Sequence, residues 1–199
     1  FSNECVEYIE EIKKLNNKII LSKADKLVVE GVIKSMRDNE LVNKFYALGD
    51  VFDTNIIYKE YDIYFQIGGY KAKARIDNLY IDLENKIIYI NDLKTTSKGL
   101  SRFLKSVADW RYYRQLAFYK KAVQTAIHTG YLNVSGYDLK TFRIVCNNIA
   151  VETIPEYNCC VFNMDDLYDK GKTELISLIS RFTFHESKNI WDKSMEEVQ

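Results

Sequence analysis

Residues 73–96 read KARIDNLYIDLENKIIYINDLKTT, two apolar-rich runs separated by Glu84-Asn85-Lys86. The second run ends in Asp92-Leu93-Lys94, which puts an acid and a base on one face of a strand otherwise suited to burial, because strand side chains alternate. Upstream, the run that begins at Ile56 stops at Gly68-Gly69, a pair suited to a two-residue hairpin turn. Residues 56 to 93 are therefore expected to form a three-stranded antiparallel meander. With a two-residue first turn, Glu60 falls opposite Asp77. A second turn of two or four residues puts Asp77 opposite Asp92, whereas a three-residue turn would slip the third strand by one and separate them. Facing residues share a face with Cβ atoms about 4.5–5.5 Å apart, so Glu60, Asp77, Asp92 and Lys94 are expected to converge. The same register predicts a mostly apolar opposite face, with Ile57, Tyr61, Ile63, Phe65, Ala72, Ala74, Ile76, Ile87, Tyr89 and Leu93, interrupted by Lys59, Asn78 and Asn91.

Opposed like charges destabilise a sheet, and three adjacent carboxylates raise one another's pKa unless a cation lies between them. A hard divalent cation, Mg²⁺ or Mn²⁺, fits this need, with Asp77, Asp92, Glu60 and the Leu93 carbonyl as candidate oxygen ligands. Lys94 would then lie beside an attacking water and the phosphate charge. On the Asp-x-Lys tripeptide alone a solvated ion cluster is the commoner explanation. Spacing and register tell against it.

The rest of the 199-residue chain suits one globular domain with a core of its own, being 47% hydrophobic and 28% charged. The division expected is a helical part over 1–50, a catalytic sheet and helix over 56–164, and a C-terminal helix and tail over 165–199. Residues 3 to 15 and 23 to 37 have helical spacing, with Ser22 as an N-cap. Residues 101 to 128 are expected to form one long helix stopped by Gly130, burying Phe103, Leu104, Val107, Trp110, Leu116, Ala117 and Phe118. Strands near 139–147 and 157–164 and a helix near 165–183 complete an α/β or α+β chain, with a mixed sheet flanked by helices.

Lys+Arg and Asp+Glu balance at 28 each, which excludes a global basic field. Charge is segregated, however. Between Lys94 and Lys121 stand eight bases and one acid, Asp109, a local patch suited to phosphate. Four cysteines without a CxxC pair favour a reducing, cytoplasmic setting. No apolar stretch approaches the roughly 18 to 20 residues of a membrane span. The chain begins at Phe1, so its native start is expected upstream.

On the stretch 73–96, followed by WRYYRQLAFYKKAV over 110–123, the chain resembles the PD-(D/E)XK nuclease superfamily, and within it the RecB-like, exonuclease VIII (RecE-type) phage enzymes. Asp77, Asp92 and Lys94 match the acidic residue, hairpin and Asp/Glu-x-Lys of that superfamily, and Gln115 and Tyr119 match its Gln-x-x-x-Tyr signature. Glu60 matches an upstream strand glutamate beside the metal. The resemblance implies a restriction-endonuclease-like core and a Mg²⁺- or Mn²⁺-dependent deoxyribonuclease. It also implies exonuclease action on double-stranded DNA ends in phage or bacterial recombination, with a single-strand annealing protein as partner and a homo-oligomer as the assembly. A Pro-Gly after the late Trp is absent, and Ile76 replaces the usual Pro before Asp77. Some RecB-like relatives hold an iron-sulfur cluster with four cysteines; here adjacent Cys159 and Cys160 on a strand point to opposite faces, which tells against one.

Gln115 and Tyr119 lie at i and i+4 on one helical face, with Arg111 one turn earlier. Lys98, Arg102, Lys105, Arg111 and Arg114, with Tyr119, are the candidate DNA contacts. Two other readings remain open: a structure-specific or restriction-type endonuclease, and a catalytically silent DNA- or protein-binding module on the same fold.

Overall fold

The computed structural model describes residues 22–46 and 55–191. The helix expected over 3–15 and Cys5 lie outside the described residues, as does the far C-terminal tail. Helix α1 spans Lys23–Asp38 and starts at Ser22, whose hydroxyl accepts from the Asp25 N–H. A short helix, α2, follows at Glu40–Tyr46. Five strands then form one mixed sheet in sequential order: β1 Asn55–Ile67, β2 Tyr70–Asp82, β3 Ile87–Thr96, β4 Arg143–Glu152 and β5 Cys159–Asn163. Only the β3–β4 pair is parallel, and the helical crossover between them makes that direction possible.

Both turns of the meander preserve the expected register. Gly68 and Gly69 have φ of 58° and 87°, which a two-residue hairpin loop requires and glycine supplies without strain. The second turn uses four residues, and Asp82 pairs with Ile87. The Asp82 carboxylate accepts from the Asn85 N–H inside that turn.

The expected single apolar face is corrected by the structure. Lys59 pairs with Asn78 and Tyr61 with Ile76, yet Glu60 takes φ 51° and neither it nor Asp77 joins the ladder between them. At this break the packing changes side. Ile63, Phe65, Ala74 and Ile76 share the main core with Leu79, Ile81, Ile88 and Ile90, which have the opposite alternation. Ile57, Tyr89 and Leu93 instead pack on a second cluster, built from Met36, Val42, Phe45 and Tyr46 of α1 and α2 against Tyr80, Ile149 and Val151. Asn78 and Asn91 do not interrupt this face. They form a buried amide ladder, in which Asn147 donates to Asn91, Asn91 to Asn78, and Asn78 to the Phe45 carbonyl, at 2.8–2.9 Å.

The expected long helix is also corrected. Residues 100–102 form a 3₁₀ turn, α3 spans Phe103–Trp110, and α4 spans Tyr112–His128. Arg111 separates the two helices in the left-handed region at φ 54°, its N–H closing the last turn of α3 on the Val107 carbonyl. Leu104 and Trp110 are 61% and 67% exposed and stay out of the core. β4 starts and ends later than expected, since residues 139–141 form a 3₁₀ turn. The last helix, α5, spans Tyr168–Lys188 and approaches α4 at Gly171, where a Cβ would lie 2.3 Å from the Tyr113 carbonyl oxygen. Cys159 and Cys160 pair with Val151 and Ala150, which belong to opposite faces of the sheet.

Candidate active site

The site forms where β2 and β3 part. Their ladder ends at Asn78 and Asn91, and beyond it the Leu93 N–H donates to the Asp77 carboxylate at 2.9 Å in place of a backbone partner. Asp77 and Asp92, which the turn argument set directly opposite each other, thus do not form a ladder pair. Mutual repulsion of carboxylates gives a reason for the parting. They remain within electrostatic reach of each other.

Asp92 is fully buried. One oxygen accepts from Lys94 Nζ at 2.6 Å and from Asn148 Nδ2 at 2.9 Å. The other, Oδ1, is buried and has no hydrogen-bond partner, as is Asn148 Oδ1. Burial pushes the Asp92 carboxyl up to about 6 against the opposing pull of Lys94, and Asp77 adds to the rise. Lys94 continues the network from the strand to the helix. Its ammonium donates to Gln115 Oε1 at 3.0 Å, Gln115 Nε2 donates to the Tyr119 hydroxyl at 2.8 Å, and the Tyr112 ring lies 5.0 Å from Lys94 Nζ. The expected i, i+4 pair on α4 is therefore present, and its glutamine faces the sheet. Burial raises the Tyr119 phenol; Gln115 offsets this, and the charges of Asp92, Asp77 and Glu60 add to it. Glu60 thus acts on the same phenol as the other two acids. Among the described residues, however, no three acidic, histidine or cysteine side chains stand close enough together to hold a metal ion.

The donors present nonetheless suit a hard cation: carboxylates, a backbone carbonyl and a buried carboxylate oxygen with no partner. Asp92, Asp77 and the Leu93 carbonyl are the residues that would hold it.

The basic segment divides. Arg111 and Arg114 reach Glu174 of α5 at 3.2 and 3.6 Å, and Lys105 lies 3.4 Å from Asp109 on its own helix. Arg111 is also off the Gln115 face, because the helix breaks at that residue. Lys98 and Arg102 have no ion pair among the described residues. Lys73 and Arg75, on the outer half of β2, each meet Asp62 at 2.8 Å.

Two site residues, Asn148 and Tyr46, and the place of a third, Tyr112, were not legible beforehand. Asn148 is placed by the parallel pairing of Asp92 with β4, a register no local pattern encodes. Tyr112 is readable as an aromatic that could stack on bases, but its place beside the Lys94 ammonium comes from packing of the helix on the sheet. Tyr46 comes from α2, where the phenol is buried within reach of the acids.

The fold has a counterpart among solved structures. The chain superposes on a protein from Eubacterium rectale named "putative exonuclease" with a TM-score of 0.52 and 18% sequence identity, over 85% of this chain. It spans 57% of that protein's length. No family model and no curated protein matches the chain in sequence. The likeness is one of fold, a mixed five-stranded α+β sheet flanked by helices. Among the described residues no helix is long and apolar enough to cross a membrane.

Proposed function

We propose that the protein is a metal-dependent deoxyribonuclease that hydrolyses phosphodiester bonds, acting as an exonuclease on double-stranded DNA ends. The observation that carries this is the Asp92 carboxylate: fully buried, tied to Lys94 through one oxygen and unpartnered at the other. A buried acid in that state needs a cationic or proton-bearing ligand, and isolated surface ion clusters do not bury their carboxylates. Mg²⁺ or Mn²⁺, when bound, would polarise a phosphoryl oxygen and make a bound water a better nucleophile. Asp77, Asp92 and the Leu93 carbonyl would hold the cation, with Glu60 adding negative charge to the same region. Lys94 stabilises negative charge that grows on the phosphate, and Gln115 fixes the direction of the ammonium. The fold neighbour's name agrees with this reading. A role in recombination with a single-strand annealing protein, and a homo-oligomeric state, belong to the same proposal.

The deciding experiment digests end-labelled linear DNA and closed-circular DNA with Mg²⁺. Loss of linear DNA from its ends, with circles left intact, is the expected result. Nicked or linearised circles would make it an endonuclease, and neither product would leave a binding module.

Duplex binding is expected to be salt-dependent, with roughly three to five phosphate contacts each adding about 0.9 to the slope of log affinity against log salt. Replacing Arg102 and Lys105 by alanine together should lower that slope by about 2, for every DNA sequence alike. Affinity measured at several salt concentrations checks this; identical slopes would place α3 away from the DNA.

A further inference from the structure

We infer that the Tyr46 hydroxyl donates a hydrogen bond to an oxygen ligand of the acidic site, so that α2, ahead of the meander, supplies part of that site. This rests on the reading of the site as a nuclease centre. The placement of Tyr46 is built in. The Asn147–Asn91–Asn78 ladder ends on the carbonyl of Phe45, the preceding residue, and Asn78 is the neighbour of Asp77. The Phe45 ring packs 5.7 Å from Tyr80 and 4.9 Å from Tyr89. At the other end of α2, Asn39 accepts from the Val42 N–H and donates to the Cys159 carbonyl. The helix is held at both ends, and Tyr46 has little choice of position.

Tyr46 is 8% exposed, and its hydroxyl is buried with no hydrogen-bond partner. Burial raises its pKa, and the charges of Asp77, Asp92 and Glu60 add to the rise, so all three acids lie within its reach. Tyr80 makes a useful contrast. Its hydroxyl is also unpartnered, but the acid acting on it is Asp82, away from the site. Tyr46 belongs to the buried cluster against which Leu93, the chain neighbour of Asp92, packs, and there both a donor on Tyr46 and an acceptor on Asp92 Oδ1 go unanswered within the protein. The ligand that answers the donor is an oxygen acceptor, either a water accompanying a divalent cation or a phosphodiester oxygen of the substrate.

The test is Tyr46→Phe, which removes the hydroxyl alone. Three quantities are compared with wild type: Mn²⁺ affinity by calorimetry without DNA, affinity for a short duplex in Ca²⁺, and Tm in EDTA. The expected result is a loss of roughly five- to tenfold in one of the affinities, as for one hydrogen bond, with Tm unchanged or higher because an unsatisfied polar group has been removed. A loss with Mn²⁺ alone identifies water as the acceptor; a loss only with duplex identifies the phosphate. Equal affinities in both arms, with wild type binding normally, overturn this inference alone. A lowered Tm also overturns it, since the hydroxyl would then have a structural partner. Wild type that binds neither probe overturns the nuclease reading and this inference with it.

Discussion

Asp92→Asn is expected to abolish DNA hydrolysis, by about a thousandfold or more, while leaving the metal-free protein at least as stable as wild type at neutral pH. The amide can still accept from Lys94 and Asn148, so the contacts on one side of the residue survive. What disappears is the negative charge, which burial disfavours and a divalent cation requires. The stability effect has a definite pH window. Folding raises the Asp92 pKa from 3.8 to about 6, so the folded state binds the proton more tightly than the unfolded chain. The resulting stabilisation is complete below the unfolded pKa and is lost as pH rises through the folded one. In EDTA, wild type should lose about 3 kcal/mol from this residue between pH about 4 and about 6 or just above. Asp92→Asn should lack that step. Urea titrations across the window, with gel assays of cleavage in Mg²⁺, read both effects. A variant that still cleaves, or that shows the same pH step, would remove Asp92 from the centre of the site.

Lys94→Met should slow cleavage by about a hundredfold to ten-thousandfold with a small change in duplex affinity, because its charge matters more to the transition state than to the bound substrate. Methionine keeps most of the apolar stem beside the Tyr112 ring and deletes the ammonium that joins Asp92 to Gln115. Loss of that cation also drives the Asp92 pKa further up, so part of the effect at neutral pH comes from a protonated carboxylate. Raising the pH separates the two contributions. Single-turnover rates and duplex affinity are compared at pH about 7 and about 9. A rate that recovers fully at high pH would reduce Lys94 to a partner that keeps Asp92 ionised, and a loss of affinity equal to the loss of rate would make it a phosphate contact.

Neither experiment depends on the DNA path. The charge run from Lys94 to Lys121 is legible as a run, but its use is set by the neighbours each base finds. Two arginines, Arg111 and Arg114, turn to Glu174 of α5, a residue more than 60 positions away from Arg111 that no local pattern associates with them. Lys98 and Arg102 keep the unpaired positions by comparison.

The meander and its register were determined by local sequence. Two glycines dictate a two-residue turn, strand alternation propagates that register, and Asp82 and Asn85 complete the second turn within four residues. The pairing of Gln115 with Tyr119 follows in the same way from helical spacing. Tertiary structure decided the rest. The left-handed Glu60 and the parting of β2 from β3 at Asp77 redistributed the apolar face between two cores, because α4 packs on one side of the sheet and α1 and α2 on the other. The left-handed Arg111 broke the long helix where its side chain meets α5. Asn148 and Tyr46 came to the acids from distant parts of the chain. Turns and periodicity act over a few residues and can be read in order along the sequence. Which buried donor meets which carboxylate depends on packing between elements far apart in the chain, and only the assembled sheet and helices specify it.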